Sequence, residues 1–147
     1  MPCLLRTVLL RYVASYDSDS LSVVNIASAS SPSVSGTYTS ETYLNGAWDV
    51  VAPSSTYVCV SAYFHNRLTI VDVSNPSSPT FKGSLYSSWF GAPRGLALSA
   101  QSASIIFMVA QHGRRINAID VVRAPCPAYA LRPRVVHALL DLPGPDL

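Results

Sequence analysis

Short apolar runs alternate with polar, turn-rich stretches along the whole chain. The clearest runs are Leu21-Ser-Val-Val-Asn-Ile26, Leu68-Thr-Ile-Val-Asp-Val73 and Ile116-Asn-Ala-Ile-Asp-Val121. Each is about six residues long and rich in branched side chains, which predicts a strand buried on both faces rather than a helix. Ahead of each lies a second apolar run across a short polar loop: Tyr12–Tyr16, Cys59–Tyr63 and Ile106–Ala110. Further strands are predicted at Trp48–Ala52 and Gly95–Leu98 upstream, and at Ser33–Tyr38 and Thr80–Tyr86 downstream. Ser/Pro clusters such as Ser28–Ser33 and Ser74–Pro79 separate the runs, as turns do in all-β chains.

These elements repeat. Asn25, Asp72 and Asp120 stand at offsets of 47 and 48 and precede Pro32, Pro79 and Pro127 by seven residues. Asn25 and Asp72 also precede Gly36 and Gly83 by eleven. Each side chain at the end of its strand can bond backbone amides of the following turn. The prolines suit turn positions where no ladder bond is needed. Gly36 and Gly83 suit a bulge or a close backbone approach. A period of 40–50 residues with four strands per unit is the pattern of a propeller blade.

The expected fold is therefore all-β: a partial β-propeller of about three four-stranded blades, with an irregular C-terminal tail. The blades are placed at about 1–40, 41–87 and 88–131, and the tail at 132–147. Met1 to Leu10 would supply the first strand of the first blade. Val135 to Leu142 has room for a helical turn or two, which Pro143 and Pro145 keep from extending. A closed propeller needs roughly four to eight blades. Three point to a piece of a longer propeller, or to a subunit completing one by association.

The stretch Leu68-Thr-Ile-Val-Asp-Val-Ser-Asn-Pro-Ser-Ser-Pro79 resembles the LVIVD repeat, whose core Leu-Val-Ile-Val-Asp is followed by a Ser-Asn-Pro-x-x-Pro turn. The first repeat keeps the register with Asn25 for Asp and Ala29 for the first Pro. The third keeps Asp120 and Pro127, with Ala124 and Leu131 at the other turn positions. The resemblance covers about Tyr12 to Pro127. It implies a propeller-like protein, often at the cell surface, and leaves activity open. Trp48-Asp49 opens a strand rather than closing one, so it is not read as the signature of a WD40 unit.

Composition narrows the function classes. Apolar residues make up 49% of the 147 and charged residues 12%, about half the usual ~25%. Such a chain folds rather than staying disordered. A net charge of +2 does not point to nucleic acid. The apolar run between Arg6 and Arg11 is four residues, too short for a signal-peptide core, and no run approaches a membrane span. Cys3, Cys59 and Cys126 form neither a disulfide framework nor a zinc spacing, and Cys59 reads as a buried, inert thiol.

Candidate chemistry lies in the connections. Chain reversal at every turn puts the loops between the second and third strands, and those between blades, on one face. That face collects Tyr16, Asp17, Asp19, Tyr63, Phe64, His65, Asn66, Arg67, Trp89, Phe90, Arg94, Gln111, His112, Arg114 and Arg115. The other face carries mainly Ser, Asn, Pro and Ala. Aromatic and arginine side chains are enriched at binding hot spots. The expected binding residues are Trp89, Phe90, Arg94, His65, His112, Arg114 and Arg115.

A protein or small ligand at this rim is expected as partner, alongside self-association. His65 and His112 lack a third ligand for a metal, and His137 lies in the tail. Asp17-Ser-Asp19 lacks the rest of a calcium loop. No cofactor, nucleophile elbow or phosphate loop is indicated. Glu41 is the only glutamate, leaving few acids for the axial metal site of a lactonase-type propeller. The reading is a non-enzymatic binding or scaffold module. The alternative is a fragment of a propeller hydrolase whose metal ligands lie in missing blades.

Overall fold

In the computed structural model the described residues are 9–102, 104–112, 115–121 and, as backbone alone, 134–136. They form three antiparallel sheets. The first holds β1 (Leu10–Ser15), β2 (Ser20–Asn25) and β3 (Ser33–Thr39). The second holds β4 (Ala47–Val51), β5 (Tyr57–Ala62), β6 (Arg67–Asp72) and β7 (Thr80–Tyr86). The third holds β8 (Pro93–Leu98), β9 (Ile105–Ala110), β10 (Arg115–Asp120) and β11 (Arg134–Val136). Each sheet is a meander with its strands in chain order. The chain is thus an all-β, partial β-propeller, and each sheet is a blade.

The signature residues act as their chemistry suggests. Asn25 Oδ1 accepts the Ala27 amide at 2.9 Å, and Asp72 Oδ1 accepts the Ser74 amide at 2.9 Å. Both outer strands carry a register shift beside their glycine. Val23 pairs Gly36 while Val24 pairs Val34, and Ile70 pairs Gly83 while Val71 pairs Phe81. At Gly36 the reason is a close approach. A Cβ there would stand 2.5 Å from the Pro76 carbonyl oxygen of the next blade.

Two cores fill the spaces between blades. Leu21 and Val23 of the first blade meet Val58, Val60 and Val71 of the second around Leu44. Cys59, Leu68 and Ile70 of the second meet Ile106, Met108 and Ile119 of the third around Phe90. One face of each sheet therefore points back along the chain and the other forward. The alternation along β5 makes this possible. Val58 and Val60 face one way and Cys59 the other, and all are fully buried. Burial pushes the Cys59 thiol up to about 12.

The structure departs from the sequence reading at the C-terminal side. Within the expected irregular tail, Arg134–Val136 is a strand, so Val135 and Val136 do not begin a helix. The branched pair adds to the edge of β10. Asp120 pairs Arg134, fourteen residues on, whereas Asn25 and Asp72 pair Ser33 and Thr80, eight residues on. The longer connection hid this strand from the repeat spacing. Residues 1–8, Cys126, Pro127, His137 and the rest of the tail lie outside the described residues.

Candidate functional site

The connections between blades are tied down by a repeated clasp. Asp19 and Asn66 end the hairpins before β2's and β6's strand positions, and both have left-handed backbone, φ 47° and 49°. Asp19 Oδ1 accepts the Gly46 amide at 2.7 Å, and Asn66 Oδ1 accepts the Ala92 amide at 2.8 Å. Gly46 and Ala92 are also left-handed, φ 67° and 52°. Asp and Asn tolerate such φ values better than other side chains do. Each hairpin thus holds the entry to the next blade, and fixes which side chains reach the face.

Above this clasp lies an aromatic cluster. Tyr16 meets Trp48 edge-on with ring centroids 5.2 Å apart, and Phe64 at 5.5 Å. Trp48 lies 5.7 Å from Tyr63, and Tyr63 lies 6.3 Å from His112. The Tyr63 hydroxyl donates to Gln111 Oε1 at 3.2 Å. Gly46 is the floor, since a Cβ there would come within 2.9 Å of Phe64 and 3.2 Å of Tyr16.

Three guanidinium groups of described residues are stationed on this face, each over aromatic rings. Arg94 Cζ sits 4.3 Å from the Trp48 centroid and 5.5 Å from Tyr63. Arg115 Cζ sits 4.2 Å from Trp89. Arg67 Cζ lies between Tyr43 at 5.7 Å and Tyr86 at 5.6 Å, with Nη1 donating to Ser84 Oγ at 3.1 Å. Stacking of this kind contributes about 0.5–2 kcal/mol and holds the guanidinium plane. None of the three makes an ion pair with a described residue. The Nε of Arg67 and of Arg94 is buried without a hydrogen-bond partner.

Beside Arg67 opens a cleft of about 540 Å³, lined by Glu41, Asn45, Phe64, His65, Asn66 and Tyr86 among others. His65 Nδ1 donates to the Thr42 carbonyl at 3.1 Å.

The anticipated binding residues therefore divide. Arg94 and His112 meet in the aromatic cluster, His65 lines the cleft, and Trp89 with Arg115 forms a third station. Phe90 is different: it is fully buried in the second core. It occupies the place that Leu44 fills in the first core, so it plugs a joint between blades and is not a rim residue. Arg114 lies outside the described residues. Trp48, Tyr43 and Tyr86 were not singled out from the sequence, although each carries an arginine. The signal for Trp48 is positional, because Trp48 and Arg94 hold the same place in successive blades. Among the described residues no group of three or more His, Cys, Asp or Glu is arranged to hold a metal. No helix among them is long and apolar enough to cross a membrane.

Comparison with known proteins bears on this architecture. Residues 46–86 match the LVIVD repeat family. A search among curated proteins finds no match. Among solved structures, a protein from Lactobacillus plantarum superposes with a TM-score of 0.64 at 15% identity, over 76% of this chain and 34% of that one. A candidate 6-phosphogluconolactonase from Bacteroides fragilis gives a TM-score of 0.62 at 15% identity, over 74% of this chain and 31% of that one. At this identity the likeness is one of fold. The chain spans about a third of the length of these structures. The matched residues 46–86 are the second blade, and the chain thus contains an LVIVD repeat within a partial β-propeller.

Proposed function

We propose that the chain is a non-enzymatic binding module whose loop face takes an anionic ligand bearing carboxylate or phosphate groups. One observation carries this reading. Arg67, Arg94 and Arg115 are held on aromatic rings on one face, and no described carboxylate pairs with them. An arginine fork matches carboxylate and phosphate geometry, and prior stacking lowers the entropy lost on binding. The aromatic rings beside each fork supply apolar contact for the body of the ligand. The opposite side of the blades offers the Lys82–Asp72 pair, 2.9 Å apart and already neutralised.

Titration of the protein with citrate and with inorganic phosphate at low salt tests the reading. Trp48 fluorescence is the signal, in a Trp89→Phe background. Saturable quenching is expected, weakened at least tenfold by Arg94→Gln and unchanged by Lys82→Gln. Equal affinity in Arg94→Gln, or no saturable response to either anion, would overturn it.

A further inference from the structure

The repeat makes the two outer sheet faces comparable with faces that are buried inside the molecule. In the second blade, the forward face carries Cys59, Ser61, Leu68 and Ile70, all buried against the third blade. Strand register places Phe107, Val109, Ile116 and Ala118 at the same positions of the third blade. There Phe107 is 39% and Val109 48% exposed, and Ile116 and Ala118 are half-buried. In the second blade the backward face carries Val58, Val60 and Val71, buried against the first. Its equivalents in the first blade are Arg11, Val13 and Val24, with Val13 48% exposed. Among the described residues the chain thus carries both halves of the joint that it buries twice internally, with Val13 on one half and Phe107 and Val109 on the other left exposed.

We infer that the third blade of one chain stacks on the first blade of a second copy, head to tail, repeating the internal joint. The occupant follows from the repeat. What covers a forward face of this pattern, twice in this molecule, is the backward face of an LVIVD-type blade, and the first blade presents one. The open forward face keeps apolar side chains where a solvated surface gains nothing from them. Arg11 is compatible with the joint, because its stem is apolar and its guanidinium suits an aromatic partner such as Phe107. The joint is weaker than its internal counterparts for two reasons. No chain connection crosses it, and the hairpin position that holds Asp19 and Asn66 is Arg114 in sequence, which cannot supply the Asx clasp. Association is therefore reversible and concentration-dependent. The contact is heterologous, so its two halves reside on different surfaces and can be disabled separately.

Sedimentation equilibrium of the 147-residue protein, from low to high micromolar, reads the association without any ligand. The wild type is expected to pass from monomer to a discrete oligomer. Phe107→Glu alone and Val13→Glu alone should each weaken association at least tenfold. An equimolar mixture of the two variants should recover a one-to-one complex, because each retains the half that the other lacks. Circular dichroism of both variants checks that they fold. If either fails, Phe107→Thr and Val13→Thr take their place, at these exposed positions. A wild type that stays monomeric throughout would overturn the inference whatever the variants do. So would variants that associate like the wild type, or a mixture that stays monomeric.

Discussion

Substituting Gly36 by alanine tests the stacking of the blades at a single atom. The added Cβ would lie 2.5 Å from the Pro76 carbonyl oxygen and 2.8 Å from both the carbonyl carbon and oxygen of Ser77. Contacts below 3.0 Å are essentially never adopted by a real Cβ, so the two blades must part by roughly 0.5–1 Å. The obstacle is backbone and cannot rotate away as a side chain would. Its turn is pinned by the Ser78 amide on the Asn75 carbonyl at 3.0 Å and the Ser77 amide on Asn75 Oδ1 at 3.2 Å. Overpacking of this kind costs about 1–3 kcal/mol. The upper half of that range applies, because parting the blades also loosens Leu21, Val23 and Val58 in the core between them. For a chain of this length about 2–3 kcal/mol lowers Tm by roughly 5–10 °C. Gly95→Ala is the matched control. Its Cβ would meet Val109 Cγ2 at an ordinary 3.8 Å, and the loss of backbone freedom in the unfolded chain makes it neutral or stabilising by up to about 1 kcal/mol. Urea unfolding followed by tryptophan fluorescence measures both. Equal stability of the two variants would refute the argument that blade approach requires glycine at position 36.

Further expectations concern the clasp, the strand-ending acid and the buried thiol. Asn66→Ala should destabilise by about 1–3 kcal/mol in urea unfolding, because it leaves the Ala92 amide without its acceptor. Asp72 is held down to about 2 by hydrogen bonds from Ser74 and by Lys82. Its folded value lies below its unfolded one, so its contribution is fully present above about pH 4. The contribution disappears as pH falls through about 2. The group is largely solvated, which limits it to about 0.5–1 kcal/mol. Asp72→Asn should flatten the stability profile across that window, and an unchanged profile would contradict the assignment. Cys59, in a Cys3→Ser, Cys126→Ser background, should resist alkylation at pH 8 until the protein unfolds. Rapid labelling of the folded protein would contradict its burial.

What the sequence made legible was whatever recurs at fixed spacing for a local reason. The strands around Leu21, Leu68 and Ile116, the turns after Asn25 and Asp72, and the glycines beside the register shifts all belong to this class. They depend on a few neighbouring residues and therefore repeat with them. The side of the sheets on which His65, Arg94 and His112 stand was also legible, because chain reversal at each turn fixes it. The joints between blades were not. Phe90 reads as a rim aromatic until its equivalence to Leu44 is seen, because only the third dimension shows that this connection dips into a core. The clasps from Asp19 to Gly46 and from Asn66 to Ala92 span 27 and 26 residues, with polar side chains that look like ordinary hairpin residues. Trp48 looked incidental at the start of a strand, and its meaning lies in Arg94, which stacks on it from the next blade. The strand Arg134–Val136 was hidden by a connection that breaks the spacing of the other two.

The proposed anion binding depends on Arg67, Arg94 and Arg115 of the loop face, with which no described carboxylate pairs. Their Nε–H groups can be followed directly by nuclear magnetic resonance while citrate or inorganic phosphate is added to the isotope-labelled protein. The account predicts that the Arg94 Nε–H signal shifts saturably, together with the Trp48 indole signal, while the Lys82 ammonium and the backbone around Asp72 stay still. Arginine signals that do not move under either anion, or shifts confined to the Asp72 side of the blades, would contradict it.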